Sequence, residues 1–156
     1  LSDFADVRIK WPNDLVLNGK KLSGMLAEAG FESGLCKWLA LGVGVNLAQT
    51  SLPPELPYAT SLLLETGARL APSELLQKYL ARFEPLYRIW LRDGLAPILE
   101  AIRPLSATLN RRVLANGREG EAVGFREDGA LLFKEGEHVT ALVAGDVSVR
   151  GLCGYI

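Results

Sequence analysis

Asn18-Gly19 constrains the fold of this chain more than any other two residues in it. The pair sits between Leu15-Val16-Leu17 and Lys20-Lys21-Leu22-Ser23-Gly24-Met25-Leu26. Both residues tolerate the positive φ of a two-residue hairpin turn, so the flanking runs are expected to pair as antiparallel strands. Just upstream, Val7-Arg8-Ile9-Lys10-Trp11 alternates apolar and basic residues, as a half-buried strand does. Pro12 has no amide hydrogen to give to a ladder, so it ends that strand and makes Pro12-Asn13-Asp14 a turn. A third apolar run, residues 38–47, carries Gly42 and Gly44. Two glycines within a strand pattern point to close approach by a ligand or a neighbouring element.

Helical periodicity takes over after a proline-bearing loop at 49–58. Thr60 or Ser61 can cap a short helix through Leu62-Leu63-Leu64 that Gly67 ends. From about Ser73, Leu76, Tyr79, Leu80, Phe83, Leu86, Tyr87 and Trp90 recur at three- and four-residue spacing and give one apolar face, a packing stripe rather than a cofactor site. Pro85 is expected to kink this helix, Gly94 to close it, and a further helix to span 97–102. Beyond residue 111 the pattern returns to strands, at 112–115, 121–125, 130–133, 139–143 and 147–149, with turns at Asn116-Gly117, Asp128-Gly129 and Gly136. Five short strands of this kind read as a small barrel or partly closed sheet. The expected class is therefore α+β, with a first domain at 1–106, a second at 107–156 and the change of character near 104–111.

Composition excludes several functions. No apolar run is long enough to cross a membrane and no signal peptide opens the chain. The net charge is −1 with both signs dispersed, so no phosphate-tracking surface for nucleic acid is expected from this segment. Cys36 and Cys153 have neither metal-ligand spacing nor a disulfide framework and read as ordinary thiols suited to a reducing cytoplasm. His138, the one histidine, falls in the last strands and reads as a surface or barrel-edge residue.

The chemistry-bearing residues concentrate in Lys10-Trp11-Pro12-Asn13-Asp14 and in Lys20-Lys21-Leu22-Ser23-Gly24-Met25-Leu26. The turn offers an amide and a carboxylate, and the hairpin beside it offers rigidly held lysines. A fixed ammonium suits developing charge on a phosphate, and a nearby carboxylate suits Mg²⁺. The same spacing equally describes a surface hairpin with solvated lysines.

Taken as a motif, KWPNDLVLNGKKLSGMLAEAG resembles the signature of the biotin protein ligases: KWPND, a short hairpin, then K-L-x-G-I-L-x-E. Lys10 through Asp14 match without change, Met25 stands where the family has Ile, and Glu28 falls at the family's Glu. Leu41-Gly42-Val43-Gly44-Val45-Asn46-Leu47 resembles the family's G-x-G-x-N strand, and Ala144-Gly145-Asp146-Val147-Ser148-Val149-Arg150 the end of its SH3-like domain. The resemblance implies a partial biotin/lipoate-ligase-like mixed sheet with helices, followed by a small SH3-like β-barrel. It also implies ATP-dependent formation of biotinyl-5′-AMP and transfer of biotin to a lysine of a biotin carboxyl carrier protein, with Mg²⁺ present. By the same resemblance Lys21 and Asp14 are catalytic, Asp14 also being a Mg²⁺ ligand. Trp11, Lys21 and Gly24 line the biotin pocket, and Lys10, Asn13, Asn46 and Arg150 serve ATP or the adenylate. A homodimer is implied as well.

In that family a glycine- and arginine-rich loop precedes KWPND, whereas here nine residues precede Lys10 and none resemble it. With Leu1 rather than Met opening the chain, the sequence reads as one that starts inside a domain, weak or inactive as a ligase by itself. Its open sheet edge and uncovered apolar face are expected to favour self-association. The competing readings are a non-catalytic binder of biotin or adenylate and a lipoate-protein ligase-like enzyme. Intact KWPND and the SH3-like tail argue against the latter.

Overall fold

In the computed structural model, residues 1, 5–144, 149–152 and 155–156 are described. Two antiparallel sheets are joined by three α-helices. The first sheet runs β1 (Arg8–Lys10), β2 (Asp14–Leu17), β3 (Lys20–Glu32) and β4 (Leu35–Val45), paired in that order. Asn18 and Gly19 take φ of 50° and 77°, the left-handed pair a tight hairpin needs. Ser33 and Gly34 repeat the device at φ of 51° and 78°, which turns β3 into β4 and makes a much longer hairpin than the 20–26 and 38–47 runs suggested. Parallel pairing in the described residues is confined to the isolated bridges Ile9–Ser106 and Lys21–Ala59.

Helix α1 (Leu62–Thr66) begins at Ser61, whose hydroxyl accepts from the Leu64 amide at 3.1 Å, and ends at Gly67 with φ of 71°. Ser61 is thus the cap, and Thr60 is engaged elsewhere. Helix α2 (Pro72–Asp93) opens on a proline, where a missing amide hydrogen costs nothing, and continues through Pro85 without ending there. None of its residues is buried. Helix α3 (Ala96–Ile102) and a 3₁₀ turn (Arg103–Leu105) lead to the second sheet.

That sheet contains β5 (Arg112–Ala115), β6 (Arg118–Phe125), β7 (Leu131–Glu135), β8 (His138–Leu142) and β9 (Val149–Gly151), in the order β8-β7-β6-β5-β9. It matches the expected SH3-like strand set, although no pairing of β8 with β9 closes it among the described residues. His138 is exposed at the start of β8. Residues 145–148, most of the Ala144–Arg150 motif, and Cys153 lie outside the described residues. One face of the sheet covers a core in which Phe133, Leu131, Ala115 and Ala122 are fully buried.

The two sheets are stitched at the base of β1. The Ala107 amide donates to the Ile9 carbonyl at 2.7 Å, and the Trp11 amide to the Thr108 hydroxyl at 3.0 Å. A second core of Leu17, Leu22, Leu47, Leu62 and Leu70 lies between the base of the long hairpin and α1. Other apolar surface of this first part is open: Leu26, Phe31 and Leu35 on the hairpin, and Leu76, Leu80 and Leu91 on α2, are all more than half exposed. Between α2 and the sheet lies an apolar groove of about 1030 Å³. No described helix is long and apolar enough to cross a membrane.

Candidate active site

The site forms where β2 and β3 pair. Asp14 lies opposite Gly24, and a register shift after Leu15 places Lys21 opposite Val16. The shift brings the Lys21 and Asp14 side chains together above Gly24, with Lys21 Nζ 2.6 Å from Asp14 Oδ1. A Cβ on Gly24 would stand 3.1 Å from Lys21 Nζ and 3.2 Å from Asp14 Oδ1, so the glycine leaves room for this pair. Gly24 pairs with Gly44 and Leu26 with Gly42. At both β4 glycines an added Cβ would meet nothing nearer than backbone at 3.7–3.8 Å. The result is a side-chain-free floor beside a cation, open to a flat ligand.

Asp14 is buried and carries several contacts. Lys10 Nζ is 4.0 Å from Oδ2, and the Tyr155 hydroxyl donates to that same oxygen. Oδ1 accepts no well-angled hydrogen bond, so its ion pair with Lys21 is its compensation. Lys10, also buried, lies 4.4 Å from the centre of the Tyr155 ring. Burial lowers its pKa, Asp14 pulls it back up, and the neighbouring Lys21 and Arg150 charges lower it further. The alternation read in β1 therefore fails at Lys10, which is buried while Ile9 is only half-buried, because a carboxylate and an aromatic ring receive it. By contrast the Lys21 side chain is 41% exposed and reaches a cavity of about 350 Å³, lined also by Leu56, Pro57, Tyr58, Arg150 and Tyr155.

A loop holds Lys21 from behind. Its amide donates to the Tyr58 carbonyl at 2.6 Å and its carbonyl accepts from the Thr60 amide at 2.8 Å. Glu65 on α1 ties this loop to the hairpin turn. It accepts from the Thr60 hydroxyl at 2.6 Å, Asn18 Nδ2 at 2.8 Å and Lys20 Nζ at 3.0 Å. The Thr60 hydrogen bond, then that of Asn18, hold its pKa below the ordinary carboxylate value.

Of the residues expected from sequence, Lys10, Asp14, Lys21, Gly24 and Arg150 converge here. Asn13 lies at the edge, its Nδ2 donating to the Met25 carbonyl at 2.6 Å, so its amide fixes the turn against β3. Asn46 Nδ2 donates to the Thr60 carbonyl at 2.9 Å and thereby shapes the loop. Trp11 points away: it is buried in the core of the second sheet and its indole donates to the Gly129 carbonyl at 3.1 Å. That placement does not fit a biotin-lining role, because the ring is covered by the second sheet rather than open to a ligand. Asp14 does not fit a metal ligand either, since two ammonium groups and a phenol already engage its oxygens. Nor do three His, Cys, Asp or Glu side chains gather elsewhere among the described residues. Sequence reasoning missed Tyr58, Glu65 and Tyr155. No periodicity or motif marks them, since each joins the site through a contact distant in sequence.

Known proteins resemble this chain in sequence and in fold. A model of the biotin/lipoate A/B protein ligase family matches residues 3–46. The bifunctional ligase/repressor BirA of Bacillus spizizenii is 31% identical over 90% of this chain and 46% of its own length. The biotin–[acetyl-CoA-carboxylase] ligase of Paracoccus denitrificans is 32% identical over 83% of this chain and 58% of its own. A solved structure of the Aquifex aeolicus biotin protein ligase in complex with biotin and ATP superposes with a TM-score of 0.79 at 28% identity, covering 93% of this chain and 62% of that one. The chain spans about half the length of the first of these curated relatives. Over most of its residues the chain is thus similar in sequence and fold to biotin protein ligases.

Proposed function

We propose that this chain carries the lysine-centred part of an adenylate-forming site. There the biotin carboxylate attacks the α-phosphate of ATP, giving biotinyl-5′-AMP and pyrophosphate. A lysine amine of a biotin carboxyl carrier domain then attacks the acyl carbon, loses a proton and releases AMP. The observation that supports this most is the Lys21 ammonium, fixed by Asp14 at 2.6 Å, exposed to a cavity and set beside a glycine floor. Two anions must meet for the first step, and a cation already held in place lowers that barrier without reorganisation. Arg150 adds positive charge on the same cavity. Mg²⁺ belongs to this reading as the counter-ion of the nucleotide, which usually brings most of that ion's ligands itself. A cytoplasmic setting, a homodimer and the absence of nucleic-acid contacts through this segment complete the proposal.

The test is biotin transfer to a carboxyl carrier domain with ATP and Mg²⁺, followed by intact mass. It is run for this chain alone and with a family-type glycine- and arginine-rich segment placed ahead of it. Transfer in the second sample supports the reading, and no transfer in either, with both folded, overturns it. In an active form, Lys21→Ala is expected to lower pyrophosphate release by roughly 100-fold or more with the fold unchanged. Near-normal release would remove Lys21 from its role.

A further inference from the structure

Tyr155 lies far from the KWPND turn in sequence, yet its hydroxyl donates to Asp14, the residue that pins Lys21. Its ring stacks on Tyr58 with centroids 6.1 Å apart and planes 26° from parallel, and Lys10 Nζ lies over the Tyr155 ring. The next residue, Ile156, crosses Gly151 so closely that any Cβ there would collide with the Ile156 backbone. The segment is therefore seated rather than merely draped over the surface.

We infer that Tyr155 is a positioning residue for the Lys21 ammonium, acting through Asp14. The inference rests on the ligase reading above. A carboxylate between two lysines can rotate its plane about the Cβ–Cγ bond, and only part of that rotation keeps an oxygen facing Lys21. A donor fixed on one oxygen holds the plane in which the other oxygen meets Lys21. Tyr155 forms a wall of the cavity into which Lys21 opens and leaves the Lys21 side chain 41% exposed, so its placement suits alignment rather than obstruction. With Asp14 engaged on both oxygens, its part is to aim Lys21 rather than to hold a metal ion. The charged groups around the phenol are Asp14, Lys10 and Arg150. Burial and the Asp14 carboxylate raise the pKa of the phenol, against a smaller opposing pull from Arg150, which keeps it a donor at neutral pH.

Tyr155→Phe keeps the ring and removes the donor. In a form that releases pyrophosphate, kcat for that release is expected to fall roughly 10- to 100-fold, the worth of one hydrogen bond to a charged group. KM for biotin should move by less than about twofold, since the ground-state pocket is retained. An unchanged or increased kcat overturns the inference, the increase marking an obstructing role instead. A second measurement needs no turnover: ¹³Cζ-tyrosine NMR of this chain across alkaline pH. One phenol should resist ionisation well above the ordinary value near 10, vanish in Tyr155→Phe and titrate earlier in Asp14→Asn. Tyrosines that all titrate alike, indifferent to Asp14→Asn, overturn it. Wild-type protein that releases no pyrophosphate while its phenol responds to Asp14→Asn overturns the ligase reading and the positioning role with it. Active wild type with equally active Tyr155→Phe overturns the positioning role alone.

Discussion

The two sheets are built from similar alternating strands but end in opposite states. In the second, Leu131, Phe133 and Ala115 are fully buried, and the sheet folds over its own core. In the first, the buried apolar residues are confined to β2 and the base of β3, where Val16, Leu17 and Leu22 are covered, while a few residues on Leu26 is 74% exposed. Helix α2 continues the contrast, with a long aromatic and leucine stripe and no buried residue. Alternation specifies that a segment can be a strand with an apolar face. Whether that face is covered depends on what stacks against it, and among the described residues only the second sheet supplies a full cover.

The sharpest way to break this comparison is a pair of truncations in this chain, read by urea unfolding. Phe133→Ala should cost about 3–5 kcal/mol, as deletion of a buried aromatic does, whereas Leu80→Ala on α2 should cost under about 0.5. Equal losses would mean that the α2 stripe is buried in solution. Next comes Leu22→Ala, expected to cost about 2–5 kcal/mol against almost nothing for Leu26→Ala on the same strand. A similar cost at both positions would extend the core along the hairpin.

Smaller, and confined to the first part, is Glu65→Gln, which should cost about 1–2 kcal/mol near neutral pH by weakening three hydrogen bonds to one carboxylate. The carboxyl pKa is lowered on folding, so its contribution is present above the unfolded value near 4.5 and is lost as pH falls through the folded value. Wild type and variant should therefore converge in stability below about pH 4. A gap that widens on acidification would contradict the assignment. The smallest stability effect, within about 0.5 kcal/mol, is expected for Phe31→Lys with Leu39→Lys on the exposed hairpin. Sedimentation should nevertheless show less self-association, and no change would mean that this apolar surface is not sticky.

Local signals carried much of this architecture. Asn18-Gly19, Pro12, Ser61, Gly67 and Gly94 each act through one or two bonds, and their turns and caps fall where the residues require. The Lys21, Asp14 and Gly24 cluster was legible through its motif. Ser33-Gly34 was not read as a turn, so the length of the β3–β4 hairpin was missed. Lys10 and Trp11 departed from expectation in a different way: alternation set Lys10 on the outer face and the resemblance set Trp11 in the biotin pocket, but neither says what a distant tyrosine or a second sheet will cover. Tyr58, Glu65 and Tyr155 had no local signal at all, because their partners lie in elements that meet only in the folded chain.

Trp11 also gives the protein an optical reporter. It is 7% exposed within the second core, whereas Trp38 and Trp90, the other two tryptophans, are 55% and 48% exposed. The blue edge of the emission spectrum should thus belong mainly to one indole, held by the first part of the chain and sheltered by the second. Quenching by iodide should spare that component until the two sheets separate, making their parting visible apart from the loss of either sheet.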